Sequence, residues 1–134
     1  MEIDGETYRV NCVNMGNPHC VIFVDRVDAV DLERIGPKFE HAPLFPERIN
    51  TEFVRVVNPT TLRMRVWERG NGETMACGTG ACAAVVAAVE NGFCRRGEEI
   101  TVKTHGGDLL VRYTDECVTL SGRASLVYEG TVEY

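Results

Sequence analysis

Residues 81–89 (ACAAVVAAV) are apolar at every position, so no helical period leaves them a polar face. A helix that is apolar all round is buried all round, and the segment therefore predicts a central helix that needs other elements wrapped about it. It starts at Cys77, where the polar, glycine-rich run of residues 67–76 (WERGNGETMA) ends, and Asn91-Gly92 supplies a left-handed stop. Gly70, Gly72, Gly78 and Gly80 allow tight turns and close backbone approach to a ligand. Elsewhere the pattern has period two or short apolar runs. Residues 7–13 alternate, 21–24 (VIFV) form a short apolar strand, and 51–57 and 61–67 read as strands joined by Asn58-Pro59-Thr60. Residues 99–103, 109–113 and 117–121 predict three more strands, punctuated by Gly106-Gly107 and Thr114-Asp115-Glu116, and a last extended piece covers 124–134.

Two stretches depart from this pattern. Residues 31–40 (DLERIGPKFE) read as a broken helix on the surface, capped by Asp31 and interrupted at Gly36-Pro37. Residues 41–50 carry two prolines and no period, which reads as loop. Asn14 to His19 form a polar turn between strands, with Pro18 holding Asn17 extended. Most links between strands are too short for parallel crossovers, so the expected sheet is largely antiparallel around a single buried helix.

Composition narrows the function classes. A chain of 134 residues with 44% apolar residues suits one domain with its own core. The net charge of -6 and the lack of a basic run exclude the electrostatic footprint of a nucleic-acid binder. The run 81–89 is far shorter than a membrane span requires. The opening MEIDGETY is acidic and polar, unlike a signal peptide, so a cytoplasmic location is expected. Six cysteines at unrelated spacings, in a chain able to build a core without staples, read as reduced thiols.

Cys77 is the residue on which chemistry converges. The first N–H groups of a helix have no internal partner and carry partial positive charge, which binds anions and favours a thiolate. Cys77 is therefore a candidate base or nucleophile in a backbone nest. The letters of residues 78–83 (GTGACA) fit the dinucleotide pattern G-x-G-x-x-G/A, but the preceding strand ends some ten residues too early and no acid closes a following strand. Nucleotide binding is the weakest reading. A zinc site from Cys77 and Cys82 fails because five residues along a helix turn a side chain by about 140°, and no CxxC or HxxxH spacing occurs. No metal is expected. Cys12, Cys82, Cys94 and Cys117 read as small buried hydrophobes. His41 and His105 read as ordinary histidines, whereas His19 beside Asn17 divides evenly between a surface residue and a site residue. Glu68-Arg69, opposite charges entering the glycine loop, suit recognition of a zwitterion.

The segments MGNPHCVIFV (15–24), FPERINTEFV (45–54), WERGNGETMACGTGACAA (67–84) and HGGDL (105–109) closely resemble the diaminopimelate epimerases, specifically their C-terminal half. That resemblance implies an α+β fold: a mostly antiparallel, barrel-like sheet around one central buried helix, forming one half of a two-domain, pseudo-symmetric protein. It makes residues 1–134 a C-terminal domain whose N-terminal half is absent. It further implies cofactor-independent epimerisation of LL-2,6-diaminopimelate to the meso isomer, a step of lysine and cell-wall synthesis, by two cysteines working from opposite faces. Cys77 matches the second of these. His19 and Glu68 match positions that tune the cysteine pair. Asn17, Asn50, Glu68 and Arg69 match substrate-holding positions, and Gly78 and Thr79 match the backbone that binds the α-carboxylate. The chain supplies one cysteine and is expected to be inactive alone, its partners being diaminopimelate and the N-terminal half. The alternative is a non-catalytic amino-acid-binding half-domain that needs a separate N-terminal partner. An open half-site and a spare strand edge invite self-association as a homo-dimer.

Overall fold

The computed structural model describes residues 1–134. A hairpin of β1 (Glu2–Ile3) and β2 (Glu6–Thr7) precedes β3 (Asn11–Asn14), β4 (Pro18–Phe23), a 3-10 turn at Val27–Ala29 and helix α1 (Leu32–Glu40). Then follow β5 (Asn50–Asn58), β6 (Thr61–Glu68), β7 (Gly72–Thr74), helix α2 (Gly78–Glu90), β8 (Glu99–Thr104), β9 (Gly107–Tyr113) and β10 (Val118–Ser121). The main sheet runs β10-β9-β8-β6-β5-β4-β3, with β7 paired to β6 beside it. Its pairs are antiparallel except β4 with β5 and β6 with β8. A parallel pair needs a long crossover, and the two here run through α1 and α2 respectively. The sheet curls around α2, which touches both outermost strands, β3 and β10, as well as those between. The result is an α+β half-barrel with a buried central helix.

Strand alternation builds two cores on one sheet. On the inner face, Val21, Val54, Leu62, Met64, Ile100, Val102 and Val111 close on Ala81, Ala84, Val85 and Ala88 of α2. On the outer face, Cys20, Ile22, Phe53 and Trp67 meet Leu32, Ile35 and Phe39 of α1. Each fully buried large side chain contributes about 1.5–3 kcal/mol. Asn91 ends α2 and Gly92 follows at φ +80°, the left-handed stop expected from sequence.

Three expectations are overturned. Residues 31–40 are not a broken surface helix: α1 is continuous through Gly36 and Pro37, with Asp31 accepting from the Arg34 N–H, and it buries a full stripe. Gly36 serves close approach rather than a break, since a Cβ there would lie 2.3 Å from Trp67 Cδ2. The bond Pro37 forgoes would go to the carbonyl of Glu33, an exposed residue. Residues 7–13 are not one strand but the end of β2 and the start of β3. Cys12 and Cys117 are exposed, not buried like Cys82 and Cys94; all six cysteines are free. Residues 122–134 lie outside every helix and strand, and Leu126, Val127, Tyr128, Val132 and Tyr134 are exposed. No helix is long and apolar enough to cross a membrane.

Candidate active site

Cys77 caps α2. Its backbone is extended at φ −140° and ψ 114°, its carbonyl accepts from the Ala81 N–H at 2.9 Å, and its Sγ accepts from the Gly80 N–H at 3.3 Å. A thiol thus takes the place that Ser, Thr, Asp or Asn usually fills. The N–H groups of Gly78 and Thr79, first in the helix, take no carbonyl from within it and remain available to an anion. Gly80 is required sterically, because a Cβ there would stand 2.7 Å from Glu52 Oε1 and 3.2 Å from Cys77 Sγ.

Along the inner face of the sheet, apolar residues give way near this helix end to His19 on β4, Glu52 on β5 and Glu68 on β6. His19 and Glu52 are both 0% exposed. His19 Nδ1 lies 2.6 Å from Glu52 Oε1, and its Nε2 lies 3.1 Å from Asn17 Oδ1. Asn17 Nδ2 donates to Thr79 Oγ1 at 3.3 Å, and that hydroxyl lies 3.7 Å from Cys77 Sγ. With the Asn17 amide so oriented, its oxygen takes the hydrogen on Nε2. One proton is then shared between His19 Nδ1 and Glu52. A hydrogen-bonded series therefore joins a sealed carboxyl to the thiol.

The sulfur's electrostatics reverse the sequence expectation. Burial pushes the Cys77 thiol above its ordinary range; the bonds from Thr79 and Gly80 oppose this, and the charges of Glu68 and Glu52 add to it. Desolvation outweighs the hydrogen bonds that Thr79 and Gly80 bring to the sulfur. Glu52 is likewise pushed up by burial, against its bond with His19.

A second network borders the first. Asn50 is 6% exposed; its Nδ2 donates to the Pro18 carbonyl at 3.0 Å, and its Oδ1 accepts from the Arg69 N–H at 2.8 Å. It thereby fastens the turn carrying Asn17 and His19 to the loop carrying Glu68 and Arg69. Glu68 accepts from the Thr74 hydroxyl, and Arg69 Nη1 donates to the Glu47 carbonyl at 3.3 Å. Both side chains are half-buried. From the outer face, Glu40 accepts from Trp67 Nε1 at 2.9 Å, the Gly70 N–H at 3.0 Å and Arg48 Nη1 at 3.1 Å, holding the glycine loop in place. Against the burial that raises it, the Trp67 and Gly70 bonds keep its carboxyl below the usual range. A charged depression of about 790 Å³, lined by Asp28, Glu33, Arg65, Glu73, Thr74, Met75 and His105, flanks this loop without including Cys77. No group of three or more His, Cys, Asp or Glu lies within ligating reach of one point.

The structure therefore gathers Asn17, His19, Thr79 and Cys77 into one series, with Gly78 next to the sulfur at the helix start, and places Asn50, Glu68 and Arg69 beside it. Sequence reasoning missed Glu52 and Glu40. The readable signal for Glu52 was a lone acid in a strand destined for the sheet centre, where both faces are covered.

Comparison with known proteins bears on this site. Residues 11–132 match the model of the family described as diaminopimelate epimerase. The chain is 56% identical over 135 residues to the diaminopimelate epimerase of Acetivibrio thermocellus, covering 99% of this chain and 48% of that protein. It is 54% identical over 132 residues to that of Nostoc punctiforme, covering 97% and 47%. The chain thus spans about half the length of the curated relatives it matches. Among solved structures, a phenazine biosynthesis protein from Enterococcus faecalis shares the fold at a TM-score of 0.57 and 18% identity, over 81% of this chain and 40% of that one.

Proposed function

The chain belongs to the diaminopimelate epimerase family, and from that premise we propose that it supplies one acid/base thiol, Cys77, to the cofactor-independent epimerisation of LL-2,6-diaminopimelate to its meso isomer. The observation that carries this reading is a thiol at a helix N-terminus whose first N–H groups are free, joined by hydrogen bonds to a buried acid. An α-carboxylate seated on the Gly78 and Thr79 N–H groups brings its α-carbon over the sulfur, and the helix end stabilises the charge that develops when the α-proton leaves. Glu68 and Arg69 offer a carboxylate and a guanidinium to the zwitterion, and Asn17 an amide. Asn50 fixes their spacing.

Inversion needs a proton removed on one face and delivered on the other. Cys77 serves one face. The opposite thiol comes from an N-terminal half that completes the cleft. The exposed apolar tail at Leu126, Tyr128 and Val132 suits return to the sheet of that half. In this reading the enzyme is cytoplasmic, and the isolated chain is inactive. Mixing it with the N-terminal half of the Acetivibrio thermocellus relative is expected to restore epimerisation that neither half shows alone. Turnover by the chain alone, or a mixture that binds diaminopimelate without epimerising it, overturns the catalytic reading. The latter outcome favours an amino-acid-binding half-domain.

A further inference from the structure

We propose that Glu52 is a positioning residue that sets when Cys77 ionises, acting through its own charge and through the series His19, Asn17 and Thr79. The proposal rests on Cys77 being the acid/base thiol. Glu52 is 0% exposed, and only one of its oxygens is satisfied: Oε1 lies 2.6 Å from His19 Nδ1, while Oε2 is buried without a partner. Burying a carboxyl oxygen without a partner costs stability. An apolar residue, such as its neighbours on the inner face, would avoid that cost.

The carboxyl also lies near the sulfur. The space a single methyl on Gly80 would fill separates Glu52 Oε1 from Cys77 Sγ, at 2.7 Å and 3.2 Å from its centre. Two acids this close, both buried, do not both ionise readily. The titratable groups turned toward the pair are His19 from β4, Glu68 from β6 and Cys82 from α2 itself, with Cys20 near Glu52. When Cys77 loses its proton, the shared proton moves from His19 Nδ1 to Glu52 Oε1, leaving a neutral imidazole with its hydrogen on Nε2, still bonded to Asn17. No proton enters or leaves the His19–Glu52 pair: the Cys77 proton passes to solvent or substrate, the sulfur gains its negative charge by that loss, and the carboxyl beside it is neutralised by the proton from the imidazole.

The test is the pH dependence of Cys77 alkylation by iodoacetamide, resolved from the other cysteines by peptide mass spectrometry, in the chain and in Glu52→Gln. Glutamine keeps a hydrogen bond to His19 without the charge. The Cys77 midpoint should move to lower pH by about one unit, so that at a fixed pH below it alkylation is about tenfold faster. Cys94, which lies among apolar residues, should keep its profile. An unchanged Cys77 midpoint in a folded variant overturns the proposal, as a merely structural Glu52 would alter stability alone. Should Glu52→Gln fail to fold, the infrared C=O band of buried carboxylic acid in the unaltered chain decides: it should grow as Cys77 ionises and stay constant in Cys77→Ser. A band that ignores Cys77 overturns the proposal. Alkylation is read on this chain alone, so failure here and failure to epimerise are separate results.

Discussion

Two glutamates are buried on opposite faces of the same sheet, and they are satisfied differently. Glu40, on the outer face, accepts from Trp67, Gly70 and Arg48, and these bonds fix its charge. Glu52, on the inner face, has one partner and one orphaned oxygen. A fully satisfied buried acid stabilises the fold around it, whereas a half-satisfied one is retained at a cost in stability. The difference assigns the outer acid to architecture and the inner acid to chemistry. It also shows that the glycine loop is held in place from the outer face.

The contrast is broken most severely at Cys77. Cys77→Ala should lower epimerisation in the two-half assembly by about a thousandfold or more, the scale of a lost acid/base group, with little change in the urea midpoint of the chain. A large stability loss with residual activity would turn the inner face into architecture. Glu40→Ala should do the reverse: it strands three donors and should cost about 3 kcal/mol in urea unfolding. Gly36→Ala, on the same outer face, forces a methyl into Trp67 and should cost about 1–3 kcal/mol, loosening the bond from Trp67 to Glu40. Glu52→Gln should change stability by less than about 1 kcal/mol, since it removes a poorly satisfied charge.

The smallest effect is in pH dependence. Glu40 is held below the ordinary carboxyl range in the fold, so its contribution is present at neutral pH and is lost as pH falls through the folded value. Glu52 is raised, so its contribution is present at low pH and declines as pH rises past the ordinary carboxyl range. Buried Cys20, Cys77, Cys82 and Cys94 are raised by desolvation and should cost stability as pH climbs above the ordinary thiol range. Urea midpoints across pH should therefore show the acid limb flattened by Glu40→Gln and not by Glu52→Gln.

These two acids also mark where the amino-acid sequence is legible and where it is not. The central helix, its start at Cys77, the hairpin at residues 58–60 and the three late strands follow from periodicity and turn residues, which are local. Asn17 and Cys77 are recognisable because polar and glycine-rich runs interrupt apolar ones, whereas Thr79 stands out only through the family resemblance. The rest depends on partners distant in sequence. Gly36-Pro37 looks like a break until Trp67 is known to lie against it, and β7 hides in a glycine loop because its pairing comes from β6. Glu52 shares its strand face with Val54 and Val56, which marks it as a lone acid on an apolar face, but its partner His19 comes from the parallel neighbour β4, distant in sequence. Cys77 looks activated from its helix position alone, and the burial that reverses this is a tertiary effect.

The central claim is that Cys77 works one face of an α-carbon and needs a second thiol opposite. Deuterium incorporation from D2O into the α-position of diaminopimelate measures this directly, for the chain alone and for the chain mixed with the N-terminal half. The account predicts exchange with inversion only in the mixture, abolished by Cys77→Ala. Exchange with inversion by the chain alone, or undiminished exchange in the Cys77→Ala mixture, would contradict it.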